Sequence, residues 1–238
     1  MTVRNIRFRQ SVIRTVLGLA AVSGLAMQPV ESAFAKVVEV SMTAVETKLV
    51  IDGEGHTYDA WTFNGQFPGP VIRVQEGDEV FFLLTNPETN GRPHSMDFHA
   101  AETNFLEHYK EVRPGESLQY RFKAKWPGIF AYHCGASPMI QHIARGMMGA
   151  IIVDPKDPKA LPKADREYVL VQSELFKDPD DVDGMFDRKY QHVVFNGSVF
   201  RYDPVHSKAG GDFLDAKPGE RVRFYFVNAG PNNVSAVH

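Results

Sequence analysis

Short runs of β-type residues that recur from residue 36 onward are the feature that most constrains the fold. Each run is rich in branched or aromatic residues and is bounded by glycine, proline or asparagine, a pattern typical of strands joined by tight turns. Helical patterning is weak, and only residues 137–143 are predicted to hold a short helical turn. Strands at this spacing predict an all-β chain built as an antiparallel sandwich. The predicted strands are 37–42, 47–51, 71–74, 79–86, 118–124, 128–133 and 149–153.

The strand pattern occurs twice along the chain. Residues 76–86 resemble residues 218–228 in order and residue type, and a Phe-Asn-Gly sequence precedes each copy, at 63–65 and at 195–197. Unrelated β-sandwiches also reuse such strands and turns, but the shared order favours an internal duplication. We therefore predict tandem Greek-key β-sandwiches.

A polar, proline-rich segment at 154–158 marks the predicted boundary between the two copies. The first domain is then 36–155, and 156–238 is the N-terminal part of the second. This second copy is the shorter one, and an open sandwich would leave bare strand edges. We therefore expect the second sandwich to be truncated and the chain to be C-terminally incomplete.

Residues 1–35 have the pattern of a signal peptide. Four arginines begin the segment, an apolar run follows at 16–27, and Ala33-Phe34-Ala35 supplies the small residues of a cleavage site. A membrane anchor is the alternative, but the run is too short to span a bilayer. Cleavage would give a periplasmic protein of net charge −6 with no membrane span. That acidity argues against nucleic acid as a partner.

Cys134 is the only cysteine, so it cannot form an internal disulfide. His142 follows it closely, Met147 comes five residues later, and His94 lies upstream. A thiolate, two imidazoles and a weak thioether are the ligands of a blue-copper centre. Taken alone, the cysteine could be a buried apolar residue. Taken alone, Met147 could be a core residue, and Met148 could compete for its role.

The histidine beside this cysteine predicts a second metal ion. Adjacent residues on a strand point to opposite faces, so His133 and Cys134 cannot readily bind the same ion. The simplest partition gives His94, Cys134, His142 and Met147 to one metal, and His99 with His133 to another. The remaining internal histidines lack a partnered motif and are predicted to lie on the surface. They are His56, His108, His192 and His206.

One further residue is a candidate for acid–base chemistry. Asp97 lies between His94 and His99, and a carboxylate beside a metal-bound water can shuttle protons. Its alternative role is to orient a ligand. On spacing alone, His238 could be a frayed terminus.

Three motifs resemble those of the copper-containing nitrite reductases, which are two-domain cupredoxins. The resemblance implies that His94, Cys134, His142 and Met147 bind a type 1 copper. It implies that His99 and His133 bind a type 2 copper, and that Asp97 and His238 form the catalytic acid–base pair. The motifs are Pro93-His94-x-x-Asp97-Phe98-His99-Ala100-Ala101, Tyr132-His133-Cys134 and His142-Ile143-Ala144-x-Gly146-Met147.

The resemblance also implies the reaction and the partners. The reaction is dissimilatory reduction of nitrite to nitric oxide by one electron, which a small periplasmic cytochrome c or cupredoxin delivers. The family is homotrimeric, and its third type 2 ligand is a histidine of a neighbouring subunit, expected beyond residue 238. The chain departs from the family at 102–106, where a glycine-rich stretch is usual.

Two other functions remain open at this level. A laccase-like multicopper oxidase needs His-x-His motifs and a His-Cys-His triplet, whereas here Gly135 follows the cysteine. An electron carrier with only a type 1 copper would leave His99, His133 and Asp97 without a purpose.

Overall fold

The computed structural model describes residues 36–104, 108–207 and 212–237. The predicted signal peptide and His238 lie outside the described residues. Two short helices are described, α1 (Met139–Ala144) and α2 (Val182–Phe186). The described strands are β1 (Val37–Val50), β2 (Thr57–Phe63), β3 (Ile72–Gln75), β4 (Glu79–Thr85), β5 (Asp97–Phe98), β6 (Ser117–Lys123), β7 (Gly128–His133), β8 (Met148–Asp154), β9 (Arg166–Phe176), β10 (Tyr190–Phe195) and β11 (Val222–Asn228).

Two four-stranded sheets form a sandwich in the first copy. Their strand orders are β2-β1-β4-β6 and β3-β8-β7-β5. On β4 the buried residues Val80, Phe82 and Leu84 alternate with partly exposed neighbours, as expected for a strand with one face on a core. The ring of Phe98 on β5 packs edge-on against Phe82 at 5.0 Å. The core therefore lies between the two sheets of a sandwich, as predicted. The sheets are mixed and not purely antiparallel, because the pairs β1–β4 and β3–β8 are parallel.

The second copy repeats the first in strand order and direction. Its sheet has the order β10-β9-β11, with β9 antiparallel to β10 and parallel to β11, as β1 is to β2 and β4. The Phe-Asn-Gly turns also match, since Asn64 and Asn196 have φ of 56° and 49°. Each asparagine side chain accepts a backbone N–H, from Thr43 at 2.7 Å and from Val171 at 2.8 Å. The predicted repeat of the strand pattern is confirmed.

The second copy packs on the outer face of the sheet that contains β7 and β8. Strand β8 is therefore buried on both faces, which explains its near-continuous apolar sequence. Arg73 adds an ionic connection, since its guanidinium lies 2.6 Å from Asp154 and 2.5 Å from Glu167. The apolar contact consists of Ile143, Met148, Ala150, Val171 and Val227.

The first two strands of the structure differ from the prediction. The strands predicted at 37–42 and 47–51 are one strand, β1, because its first half pairs with β4 and its second half pairs with β2. Strand β2 was not predicted, since Asp59 and Ala60 are poor strand formers. Pairing with β1 and burial of Tyr58, Ala60 and Trp61 stabilise it.

The division into domains stays a prediction. The described residues belong to one compact unit, and the predicted boundary at 155 falls in the connection between β8 and β9. Among the described residues, no helix combines the length and the apolar character needed to cross a membrane.

Candidate metal centres

Three separate segments contribute the first cluster of predicted ligands. His94 belongs to a short bridge in which its N–H donates to the Val112 carbonyl at 3.0 Å and its own carbonyl accepts from Val112 N–H at 2.7 Å. Cys134 directly follows the last residue of β7. His142 lies on α1, the short helix predicted at 137–143. The first ligand is thus fixed by long-range pairing and the other two by a single loop.

The donor atoms of this cluster converge in a buried pocket. His142 Nδ1 lies 3.3 Å from Cys134 Sγ and 3.3 Å from His94 Nδ1, and the three donor atoms lie within 4.8 Å of one another. These three side chains and that of Met147 are at most 2% exposed. The Met147 carbonyl accepts the Cys134 N–H at 2.9 Å, and its N–H donates to the His142 carbonyl at 3.1 Å. The loop therefore closes with the methionine beside the other ligands.

Burial keeps the cluster uncharged at neutral pH. It raises the pKa of the Cys134 thiol to about 11. Burial is also the main reason that the pKa of His142 falls to about 3 and that the pKa of His94 falls below its usual value. Neutral imidazoles are free to bind a metal, and a bound cation deprotonates a neighbouring thiol. The Ser95 N–H, which donates to Cys134 Sγ at 3.2 Å, would stabilise the thiolate.

This donor set fits a type 1 copper. Two neutral imidazoles and a thiol direct their donor atoms at one another, an arrangement that a shared cation would stabilise. Soft sulfur with imidazole nitrogen suits copper better than hard cations such as magnesium or calcium. His94, Cys134, His142 and Met147 thus form a type 1 copper-like site.

Asp97, His99 and His133 form a second cluster with a partly exposed opening. The Nε2 atoms of the two histidines lie 3.0 Å apart, and Asp97 Oδ2 lies 3.8 Å from each of them. Strand pairing explains this convergence. Asp97 is opposite His133 in the β5–β7 pair, and His99 is two residues after Asp97, so all three share one face.

The peptide bond between His133 and Cys134 joins the two clusters. The predicted divergence of these neighbours is confirmed, since the cysteine is fully buried while the histidine lies in the other cluster. His133 Nδ1 lies 3.1 Å from the Cys134 carbonyl oxygen. Because a carbonyl can only accept, Nδ1 carries the proton and Nε2 presents a lone pair toward His99.

Several neighbours of these clusters were not predicted from the sequence. The Trp61 ring packs against His142 at 4.7 Å and against His94 at 5.8 Å. Tyr109 hydrogen-bonds Asp97, and burial together with that bond raises the pKa of the tyrosine to about 12. No motif marks either residue, because their contacts come from chain folding rather than from local spacing.

Two of the four histidines predicted to lie on the surface are half-buried, His108 and His192. His108 is half-buried, and its ring lies 4.9 Å from that of Tyr120. The segment 108–109 turns its aromatic side chains toward the sandwich, a feature that histidine spacing could not reveal.

Arg145 joins the first copper-like site to the loop before α2. Its guanidinium lies 4.4 Å over the Trp61 ring and 2.5 Å from Asp180. It also donates to the carbonyl oxygens of Asp59 at 3.0 Å and Pro179 at 3.2 Å. The Arg145 side chain is 6% exposed, whereas that of Asp180 is 68% exposed, so the guanidinium is buried but its ion pair is open to water.

Replacing Arg145 with methionine is expected to lower the free energy of unfolding by about 2 kcal/mol, because two partly buried carbonyl oxygens lose their donor. Denaturant unfolding of the full-length protein would measure this. Lys48→Met is the matched control, since Lys48 makes an exposed ion pair with Asp59 and should change stability by less than about 0.5 kcal/mol. Equal losses in the two variants would contradict the structural role of Arg145.

Comparisons with known proteins agree with this geometry. A family model described as multicopper oxidase matches residues 44–158. A curated copper-containing nitrite reductase of Neisseria gonorrhoeae is 39% identical over 217 residues, which are 84% of this chain and 52% of the relative. The chain thus spans about half the length of the curated relatives it matches.

Solved structures show the same likeness. The copper nitrite reductase of Nitrosomonas europaea is 58% identical with a TM-score of 0.82, and the match covers 83% of this chain and 70% of that one. The Cu-containing nitrite reductase of Thermus scotoductus is 30% identical with a TM-score of 0.70, over 84% of this chain and 45% of that one. The first of these matches is 58% identical and covers more than two thirds of each chain. This protein therefore belongs to the family of copper-containing nitrite reductases and has their cupredoxin-like β-sandwich fold.

Proposed function

We propose that the protein is a dissimilatory nitrite reductase that converts nitrite, one electron and two protons into nitric oxide and water. The observation that carries this proposal is the direct covalent link between the two ligand clusters through His133 and Cys134. One cluster is buried and rich in sulfur, as suits electron transfer, and the other is partly open, as suits a substrate.

The residues of the open cluster have distinct roles in this proposal. His99 and His133 hold the second metal through their Nε2 atoms. When bound, copper supplies one-electron redox chemistry and, at the open site, a Lewis acid for nitrite oxygens. Asp97 faces both imidazoles at 3.8 Å and would hold a proton at its carboxylate for transfer to a nitrite oxygen. His238 would supply the second proton, since imidazole titrates near neutrality.

The proposal extends to assembly and location. Two imidazoles leave a metal site open, and a histidine from a neighbouring subunit would complete it in a homotrimer. We further propose a periplasmic location, with a small cytochrome c or cupredoxin as the electron donor. The curated relatives named as copper-containing nitrite reductases support the substrate assignment.

A multicopper oxidase is the second candidate, because the matching family model carries that description. An oxidase of this kind needs a three-copper cluster with many imidazoles. In the part of the chain that the structure describes, the open cluster brings together two histidines and one aspartate. This donor set favours the reductase.

The test uses copper-loaded full-length protein with a reduced small electron donor. Under argon, nitrite should disappear while an equal amount of nitric oxide forms, as measured with a nitric oxide electrode. Bound copper should be about two ions per chain, as opposed to about four for the oxidase and about one for an electron carrier. Dioxygen consumption without nitric oxide formation would overturn the reductase assignment.

A further inference from the structure

Glu46 on β1 places a carboxylate against the outer nitrogen of a copper-type ligand. Its Oε1 lies 3.3 Å from His94 Nε2, although the two residues are far apart in sequence. The histidine side chain is fully buried, whereas that of Glu46 is 24% exposed. The carboxylate therefore lies between solvent and the ligand, in surroundings that screen its charge only in part.

Backbone donors hold this carboxylate in place. The Gly91 N–H lies 3.0 Å from Oε1 and 3.1 Å from Oε2, and the Arg92 N–H donates to Oε1 at 3.0 Å. On the strand side, Glu46 is paired with Trp61 across β1 and β2, and that ring packs against His94. The glutamate is thus fixed from both the strand and the loop that leads to the ligand.

The contact determines which ring nitrogen of His94 faces the site. An ionised carboxylate can only accept hydrogen bonds, so Nε2 must carry the proton. Nδ1 is then a bare lone pair, and it is the atom that lies 3.3 Å from His142 Nδ1. A carboxylate on the outer nitrogen also makes the imidazole a more basic ligand.

We propose that Glu46 is a positioning residue of the type 1 copper site, which fixes the tautomer of His94 and lowers the reduction potential of the bound copper. The proposal rests on the type 1 copper assignment. Its physical basis is that a nearby negative charge favours the more highly charged oxidised metal. A purely structural role, in which Glu46 only holds the loop at Gly91, would leave the potential unchanged.

The experiment compares copper-loaded full-length wild type with Glu46→Gln and Glu46→Ala. Glutamine keeps an acceptor but removes the charge. We expect it to retain copper and to shift the ratio of oxidised to reduced centre about tenfold toward the reduced form, which is ~59 mV for one electron. Alanine removes the acceptor as well, so copper affinity should also fall about 10- to 100-fold in chelator competition. Glutamine should thus rescue the affinity but not the potential.

Glu111→Gln is the matched control. Glu111 accepts the Ser137 N–H at 2.9 Å in the loop between Cys134 and His142. The Glu111→Gln substitution therefore removes a nearby negative charge without changing the contact to His94. The proposal requires a larger potential shift for Glu46→Gln than for this control, and equal shifts would overturn it. The glutamine variant alone decides the outcome if the alanine variant does not fold.

The visible spectrum of the copper-loaded wild type distinguishes failure of the Glu46 role from failure of the copper assignment. A strong visible thiolate band with an unchanged potential in Glu46→Gln would overturn the role of Glu46 alone. Absence of that band in copper-loaded wild type would overturn the copper assignment and, with it, this proposal.

Discussion

Replacing Cys134 with serine is expected to abolish the intense visible absorption of the copper-loaded protein. It is also expected to lower donor-driven nitrite reduction by about a hundredfold or more. A hydroxyl cannot supply the soft, strongly donating sulfur that a type 1 copper requires. No other cysteine in the chain can replace it. Visible spectroscopy and metal analysis would show the band lost and bound copper reduced from about two ions to about one per chain.

Met139→Leu is the control for this variant. Met139 is the first residue of α1, between Cys134 and His142, and is 49% exposed, so its substitution should leave the band and the copper content unchanged. The assignment of the thiolate ligand would be wrong if Cys134→Ser kept the visible band. It would also be wrong if both variants lost copper to the same extent.

Replacing His99 with alanine is expected to empty the second centre while the first keeps its colour. His99 is 51% exposed and lies just after β5, so its loss should not disturb the core. Substitution of a residue that only supports a metal ligand typically costs about 10- to 100-fold in affinity or activity, and loss of a ligand should cost at least as much. Metal analysis and nitric oxide measurement would show about one copper per chain and nitrite turnover at or below ~1% of wild type.

Asp97→Asn provides the contrast within the same cluster. The amide keeps the shape of Asp97 but cannot carry the transferred proton. Both copper ions should therefore remain while turnover falls about 10²- to 10⁴-fold. Loss of copper in this variant would make Asp97 a metal ligand instead of a proton donor.

Normal nitrite turnover in the His99→Ala variant would exclude the proposed second centre.

Most of the fold follows from local patterns. The sequences of β4 and β8 predict their burial, since β4 alternates between buried and partly exposed residues and β8 is apolar over nearly its whole length. The duplicated Phe-Asn-Gly turns also point to the repeated strand order that the structure shows. Strand β2 escaped prediction because its pairing with β1 and its burial override weak local propensity.

The same division applies to the copper ligands and their surroundings. Cys134, His142 and Met147 are close in sequence, so their spacing alone predicts a shared centre. His94 lies far upstream of these ligands, so only its residue type suggests that it joins them. Its position in the structure is set by backbone pairing with Val112. Glu46 has no motif, since it reaches His94 only after β1 pairs with β2 and the loop at Gly91 folds over its carboxylate.

The sequence by itself determined the ligand types and their separation onto two sides of one strand, because side chains alternate with a period of two along β7. Only the folded structure decided which nitrogen of His94 faces His142 and which nitrogen of His133 faces His99. That choice depends on hydrogen bonds to Glu46 and to the Cys134 carbonyl. The first of these bonds joins residues distant in the chain, so only packing could bring them together.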